Sequence, residues 1–239
     1  MTAVAGYNRG DCLCGHDYFR RSRVFMSYVD GLGLKLTWDA LLDQFSADRK
    51  LGTKVLFNLV TTYCHPQRYY HNLGHIQLMM ETLDSMKYLA TDFPAIYLAT
   101  WFHDVIYDPT AHNNEERSAE YAGEVLTALN IPSSTIAATQ TLILKTKRHE
   151  AAEDEQDLQI FLDADWAILG EEPSEYQFYT QAIRREFVAF SEADYRRGRT
   201  QFLEGILQRD RLYFTPQMFE EKEATARRNL KQEIHTLSR

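Results

Sequence analysis

Glycine and proline, the residues that interrupt helices most strongly, are scarce in this chain. The 239 residues include only 11 glycines and 6 prolines, which is few for a β-sandwich or barrel built on many tight turns. Between these breaks, apolar residues recur at intervals of three and four. In Ile76–Leu89, for example, they form one stripe along the segment. The pattern predicts an all-α protein, a helical bundle of about nine helices.

Three of the predicted helices have boundary signals in the sequence. The first covers Trp38–Phe45, with Thr37 as its N-terminal cap. Another has Pro94 in its first turn and ends near Ile106. A third, Leu158–Leu169, is apolar enough for a core helix and stops at a glycine.

Residues 1–35 differ in composition from the rest of the chain. They hold five of the eleven glycines, a basic cluster at Arg20, Arg21 and Arg23, and little periodicity. We therefore predict that residues 1–35 form a loosely attached N-terminal extension, and that residues 36–239 form one helical domain. A domain of that length is able to bury a substantial core.

Charge and cysteine content exclude several classes of protein. The net charge of −8 argues against a basic groove for nucleic acid. The three cysteines, at Cys12, Cys14 and Cys64, do not form a disulfide framework. No apolar run approaches the roughly 18 residues of a membrane span, and the N-terminus has no apolar signal core. We expect a cytoplasmic protein with no membrane partner.

A His-Asp pair lies at the end of a very apolar segment. His103 and Asp104 follow the segment Ile96–Phe102. A buried carboxylate beside a histidine is costly unless a partner offsets its charge. A divalent cation is one such partner, since imidazole and carboxylate groups commonly bind Zn, Mn and Fe. The alternative is a helix C-terminus at which both side chains meet solvent.

Two further clusters leave similar alternatives open. His71 and His75 are four residues apart, so they share one face of a helix or of its first turn, either as metal-site residues or as ordinary histidines at a helix start. Asp163 and Asp165 interrupt another apolar run. Two carboxylates there need a cation or hydrogen-bond donors, and either of them is a candidate ligand.

Taken in chain order, the clusters give a His, a His-Asp pair and an Asp on separate helices. This order resembles that of the HD superfamily, and most closely a bacterial-type family described as predicted metal-dependent HD phosphohydrolases. The resemblance covers roughly Trp38 to the C-terminus. The matching segments are Arg68–His75, Trp101–Pro109, Asn114–Ala119 and Phe161–Gly170, with shorter matches at Gly198-Arg199 and Ala226–Leu230.

The resemblance implies a fold, a cofactor and a reaction. It implies an HD-domain helical bundle that hydrolyses a phosphomonoester or phosphodiester, expected to be a nucleotide or related small molecule. It also implies a divalent metal ion (Mn, Mg, Zn, Fe, Co or Ni). The implied metal ligands are His75, His103, Asp104 and Asp165.

Two related families suggest further roles. The stretch from Tyr70-His71-Asn72 to His75 is also similar to cyclic-nucleotide phosphodiesterases, which implies that His71 donates a proton to the leaving group. His103–Asp108 is similar to a stretch of stringent-response alarmone hydrolases, which implies a catalytic role for Asp108 beside Asp104. Tyr107 stands where those hydrolases have Glu, a departure that argues against alarmone hydrolysis.

A basic segment precedes the last acidic cluster. Lys145, Lys147, Arg148 and His149 are predicted to bind the substrate, because cationic groups hold phosphate and stabilise the charge of the transition state. The alternative for these residues is a solvated helix end.

The sequence is also compatible with two other functions. One is an HD-fold di-iron oxygenase, which requires additional histidine ligands between the His-Asp pair and the final Asp; only His112 and His149 lie in that interval. The other is a catalytically idle HD module that senses a ligand.

Overall fold

The computed structural model describes residues 31–239, and within that range it contains ten α-helices and no strand. The prediction of an all-α bundle is confirmed. The helices are α1 (Gly31–Asp43), α2 (Arg49–Tyr63), α3 (Leu73–Met86), α4 (Phe93–Phe102), α5 (Asn114–Ala128), α6 (Ser133–Lys145), α7 (Gln156–Asp165), α8 (Pro173–Glu186), α9 (Glu192–Leu207) and α10 (Pro216–Leu237). Short 3₁₀ turns follow α3 at Lys87–Leu89 and α7 at Ala167–Gly170.

Helix α4 forms the centre of the core. Every residue from Ala95 to Phe102 is buried, because neighbouring helices cover the helix on all sides. Trp101 packs edge-on against Trp38 of α1, with ring centroids 5.9 Å apart. The hydroxyl of Tyr63 at the end of α2 donates to the Trp101 carbonyl at 3.0 Å. The end of α4 is therefore packed against both α1 and α2.

The first helix begins earlier than the sequence predicted. Helix α1 starts at Gly31, and the Thr37 hydroxyl bonds to the carbonyls of Gly33 and Leu34 inside the helix, so Thr37 is not its cap. The predicted domain boundary between residues 35 and 36 falls within this helix, and Leu34 is buried. The rest of the predicted extension, residues 1–30, lies outside the described residues.

Two other helices are shorter than predicted, and both end beside polar residues. Helix α4 ends at Phe102, not near Ile106, and His103 caps it by donating its backbone N–H to Ala99. Helix α7 ends at Asp165, after which the chain tightens into a 3₁₀ turn that buries Ala167–Gly170. Apolar periodicity continued past both ends because Val105 and Leu169 are buried in the turns as well.

No helix in the described part of the chain is both long enough and apolar enough to cross a bilayer.

Candidate metal centre

Helix ends bring five of the predicted site residues together. Asn72 caps α3 by accepting the Gly74 N–H at 2.8 Å, which places His71 just before the helix and His75 in its first turn. His103 and Asp104 follow the end of α4, and Asp165 is the last residue of α7. The ends of three helices therefore point these side chains at one place.

The ligand atoms of this cluster lie within a few ångströms of one another. Nε2 of His75 lies 3.1 Å from Nε2 of His103 and 3.1 Å from Oδ1 of Asp165. Oδ2 of Asp104 lies 3.1 Å from Nε2 of His103 and 3.9 Å from that of His75. The ligand atoms of His75, His103 and Asp165 all lie within 4.8 Å of one another, whereas Asp104, which is close to both histidines, falls outside that group.

These spacings suit a single cation. Four ligands at about 2.1 Å in a tetrahedron lie ~3.4 Å apart, and ligands of Zn or similar ions have bonds of that length. The separation of His103 Nε2 from Asp165 Oδ1, 3.7 Å, falls in the same range. Two imidazoles with two carboxylates are also a common donor set for such ions.

The orientation of two rings gives a second reason to place a cation here. Nδ1 of His103 lies 3.0 Å from the Thr100 carbonyl, and Nδ1 of His149 lies 2.7 Å from the Thr146 carbonyl. Because a ring nitrogen facing a carbonyl must carry the hydrogen, the neutral ring has a lone pair on Nε2. Those lone pairs face Asp104 and Asp165 at 3.1 and 3.0 Å, a repulsive arrangement unless a proton or metal ion lies between them.

The pKa values of the cluster reflect the same charge balance. Burial raises the pKa of Asp165, but the adjacent imidazoles of His149 and His75 pull it well below its usual value. Burial also opposes ionisation of Asp104, yet His103 lowers the pKa of that carboxyl. The pKa of His103 rises to about 9, because Asp104 outweighs burial, whereas burial lowers the pKa of His75. The carboxylates therefore require positive charge, which a proton on His103 supplies when no ion is bound.

The two acidic candidates on α7 occupy different surroundings. Asp165 lies in the cluster, whereas Asp163 points to the start of α10. There it accepts the backbone N–H groups of Phe214 and Thr215, both at 2.8 Å, and the Thr215 hydroxyl at 2.6 Å. The Thr215 hydroxyl also caps α10. Asp163 thus holds the Phe214–Thr215 loop in place.

We expect Asp163→Asn to destabilise the protein without removing metal. The amide replaces one accepting oxygen with a donor that faces N–H groups, and leaving buried donors unpaired costs about 1–3 kcal/mol. Thermal unfolding should show this loss, and elemental analysis should show unchanged metal content. A loss of metal from a protein that remains folded would mean that Asp163, and not only Asp165, serves the centre.

Glu186 was not predicted as a site residue, but its carboxylate has several hydrogen-bond partners at the edge of the cluster. Its Oε1 accepts the backbone N–H groups of Tyr69, Tyr70 and His71 at 2.7, 2.7 and 3.0 Å. Its Oε2 lies 2.6 Å from Nδ1 of His71 and accepts the Tyr107 hydroxyl at 3.0 Å. Its position on the buried stripe of α8 was the available signal, since a carboxylate on an apolar stripe needs partners.

The Glu186 carboxylate determines the orientation of His71. With Nδ1 donating to Glu186, the other ring nitrogen of His71 faces the cluster, 4.0 Å from Oδ2 of Asp104. Burial lowers the pKa of His71, but Glu186 and then Asp104 outweigh it, so the net pKa is raised. Burial likewise works against the charge on Glu186, and His71 lowers its pKa. The pair is therefore suited to carry a proton on His71.

Arg68 is a second residue that the sequence reasoning missed. Its guanidinium donates to the carbonyl of His71 at 3.1 Å, to that of Asp104 at 2.7 Å and to that of Val105 at 2.9 Å. One side chain thus ties the turn before α3 to the turn after α4. The resemblance already included Arg68, but not this role.

The remaining predicted site residues divide into two groups. Lys147, Arg148 and His149 line the same cleft as His71 and Asp104, and Lys147 contacts Glu116 and the His112 carbonyl. Asp108 is not brought into the cluster: it is exposed and accepts the backbone N–H and hydroxyl of Thr110. Lys145 also points away from the cleft, toward Glu155 at 3.4 Å.

His149 has a rare backbone conformation. Its φ of 50° lies in the left-handed region, in the turn that follows α6, and its imidazole faces Asp165. Trp166 stacks on the ring with centroids 4.1 Å apart and planes 12° from parallel. Arg209 lies over Trp166 and also donates to the His149 carbonyl. The imidazole is therefore held from both its ring face and its backbone.

Comparisons of the chain with family models, curated proteins and solved structures found no significant match. The resemblance to HD phosphohydrolases therefore stays a prediction.

Proposed function

We propose that this protein is a metal-dependent phosphohydrolase of the HD type, which cleaves a phosphomonoester or phosphodiester of a nucleotide or related small molecule. One observation carries the proposal: Nε2 atoms of two buried histidines lie 3.1 Å apart, and each lies 3.1–3.9 Å from an oxygen of Asp104 and an oxygen of Asp165. His75, His103, Asp104 and Asp165 would hold a divalent ion. When bound, that ion would offset phosphate charge and lower the pKa of a water molecule.

The residues around the centre have separate tasks in this reaction. Asp104 lies on the open side of the cluster and lines the cleft, so it would orient the attacking water as well as bind the ion. His71 lies at the cleft wall with its Nε2 facing inward and would protonate the departing oxygen. Glu186 is a positioning residue, since it holds the ring of His71 from behind.

Cationic side chains on the opposite wall would hold the phosphate oxygens. Arg148 and Arg209 line the cleft near His149, and Lys147 lies at its edge. Arg148 is exposed, so its guanidinium is accessible to a ligand. These groups would stabilise the charge that develops on the phosphate in the transition state.

A di-iron oxygenase is the second candidate, and the position of His149 favours it. Nε2 of His149 lies 3.0 Å from Oδ2 of Asp165, the oxygen that does not face His75. A second ion in that place would need more histidines. His112, the other one in the interval, is exposed and does not line the cleft. The phosphohydrolase is therefore the better supported proposal.

The function is tested by a screen of phosphate esters, including nucleotides, with Mn, Mg, Co, Ni, Zn and Fe supplied separately. We expect hydrolysis that depends on the metal and is lost in His103→Ala protein purified in parallel, which controls for contaminating phosphatases. A metal-loaded protein that cleaves no ester would contradict the proposal. Oxygen uptake by the iron-loaded protein would then favour the oxygenase, and silence in both assays would favour an idle ligand-sensing module.

A further inference from the structure

The cleft that contains the cluster is much larger than a phosphate group. Its volume is about 890 Å³, near the upper end of the range for sites that enclose drug-sized ligands. The His/Asp cluster occupies one end, and the cleft continues from there between α8 and α9. A substrate that fills it must therefore have a sizeable group beyond the phosphate.

The wall of this continuation is apolar. Its side chains include Ile183, Phe187, Phe190, Tyr195, Phe202 and Ile206. Phe190 and Phe202 are 37% and 49% exposed, although large apolar side chains are usually covered. They line the same cleft as His71 and Asp104, and the body of a bound ester would lie against them.

Two charged side chains at this end of the cleft are engaged within the protein, and the exposed Gln201 also lines it. The Arg199 guanidinium donates to Glu233 and to the Tyr179 hydroxyl. Asp194 accepts from Ser191 and Arg197. The charged groups of this wall are therefore directed to protein partners, whereas an apolar ligand group needs no such partner.

Two glycines widen this part of the cleft. Gly198 and Gly205 lie two turns apart on the face of α9 that lines it, and a Cβ added at either would meet no atom within 4 Å. Glycine inside a helix is less stable than alanine, so packing does not explain either residue. Their absent side chains leave room along the apolar wall.

From these features we infer that the cleft between α8 and α9 is a subsite for a bulky apolar alcohol group of the phosphate ester, and that Gly198 and Gly205 keep it open. The inference rests on the proposed phosphohydrolase activity and changes the expected substrate, since it favours an alkyl or aryl phosphate over a nucleotide.

Straight-chain alkyl phosphates test the subsite, because ethyl and hexyl phosphate have alcohols of nearly equal acidity and differ in apolar length. We expect kcat/KM to rise at least tenfold from ethyl to hexyl phosphate, since each buried CH₂ group improves binding by a factor of about two to four. Adenosine monophosphate should be a poorer substrate than hexyl phosphate.

Gly205→Leu should reduce the hexyl-to-ethyl ratio of kcat/KM at least tenfold, because the new side chain fills the groove. The matched control is Glu204→Leu, an exposed neighbour outside the cleft, for which the ratio should stay the same. Gly205→Leu should also raise Tm by about 2–4 °C, because a better helix former replaces glycine. A loss of selectivity in a more stable protein cannot be attributed to misfolding.

Failure of the subsite is distinguishable from failure of the function. Hydrolysis with no dependence on chain length, an unchanged ratio in Gly205→Leu or a preference for adenosine monophosphate would overturn the subsite but not the phosphohydrolase. If no ester is cleaved, calorimetric titration with ethyl- and hexylphosphonate replaces the rates. Tighter binding of hexylphosphonate that Gly205→Leu removes would support the subsite, and equal binding of both would overturn it.

Discussion

Replacing Asp104 with alanine is expected to remove both bound metal and hydrolysis. The carboxylate lies 3.1 Å from Nε2 of His103 and faces the cleft, so its loss takes away a ligand and the group that orients water. A metal ion contributes several kcal/mol to such a reaction, so the rate should fall by at least about 10³-fold. Elemental analysis and phosphate release measure the two effects.

Asp108→Ala provides a matched control for the metal content. It removes the same kind of side chain four residues further on, where the carboxylate contacts only Thr110 among the described residues. We expect the Asp108→Ala protein to retain its ion. A full complement of metal in Asp104→Ala, or loss of metal in Asp108→Ala, would show that the centre is assigned to the wrong residues.

His71→Ala should keep the metal but lose rate, because His71 is assigned as the proton donor. General acid catalysis contributes about 10²–10⁴-fold, and we expect a loss in that range for an ester whose leaving group is a ribose hydroxyl. The loss should be much smaller for a nitrophenyl ester, whose leaving group departs without a proton. Metal content and the two rates are measured on the same protein.

Glu186→Gln separates positioning from acid chemistry. The amide still accepts backbone N–H groups, but its NH₂ would face Nδ1 of His71 and leave the ring neutral, a far weaker acid. The preference for the nitrophenyl ester should therefore grow in this variant, as in His71→Ala. If His71→Ala instead loses metal and slows on both esters alike, His71 is a ligand.

The helices were predictable from the sequence because each buries one apolar stripe, but their ends were not. Helix α4 was expected to continue to Ile106, yet it ends at Phe102. The spacing of apolar residues does not show where α4 ends, because Val105 remains buried in the turn that follows. The position of the end matters, because it turns His103 and Asp104 toward His75.

The cluster itself was predictable because its residues interrupt apolar segments in a recognisable order. Glu186 was not predictable as a site residue, because it lies 115 residues from His71 and has the sequence position of a polar residue at the end of an amphipathic helix. Lys145 was predicted to bind the substrate but does not line the cleft. It is close in sequence to Lys147 and His149, but it lies in the last turn of α6, which directs it toward Glu155.

The left-handed backbone of His149 places a buried imidazole beside Asp165. Of the described non-glycine residues with positive φ, Ser46 and Asn130 stand in turns between helices, where short polar side chains tolerate that conformation. His149 adopts it with a large ring that is buried against Trp166. Glycine would relieve the backbone at this position, but it would remove one of the imidazoles that neighbour Asp165. The contact between His149 and Asp165 is therefore made in a backbone conformation that glycine adopts at lower cost.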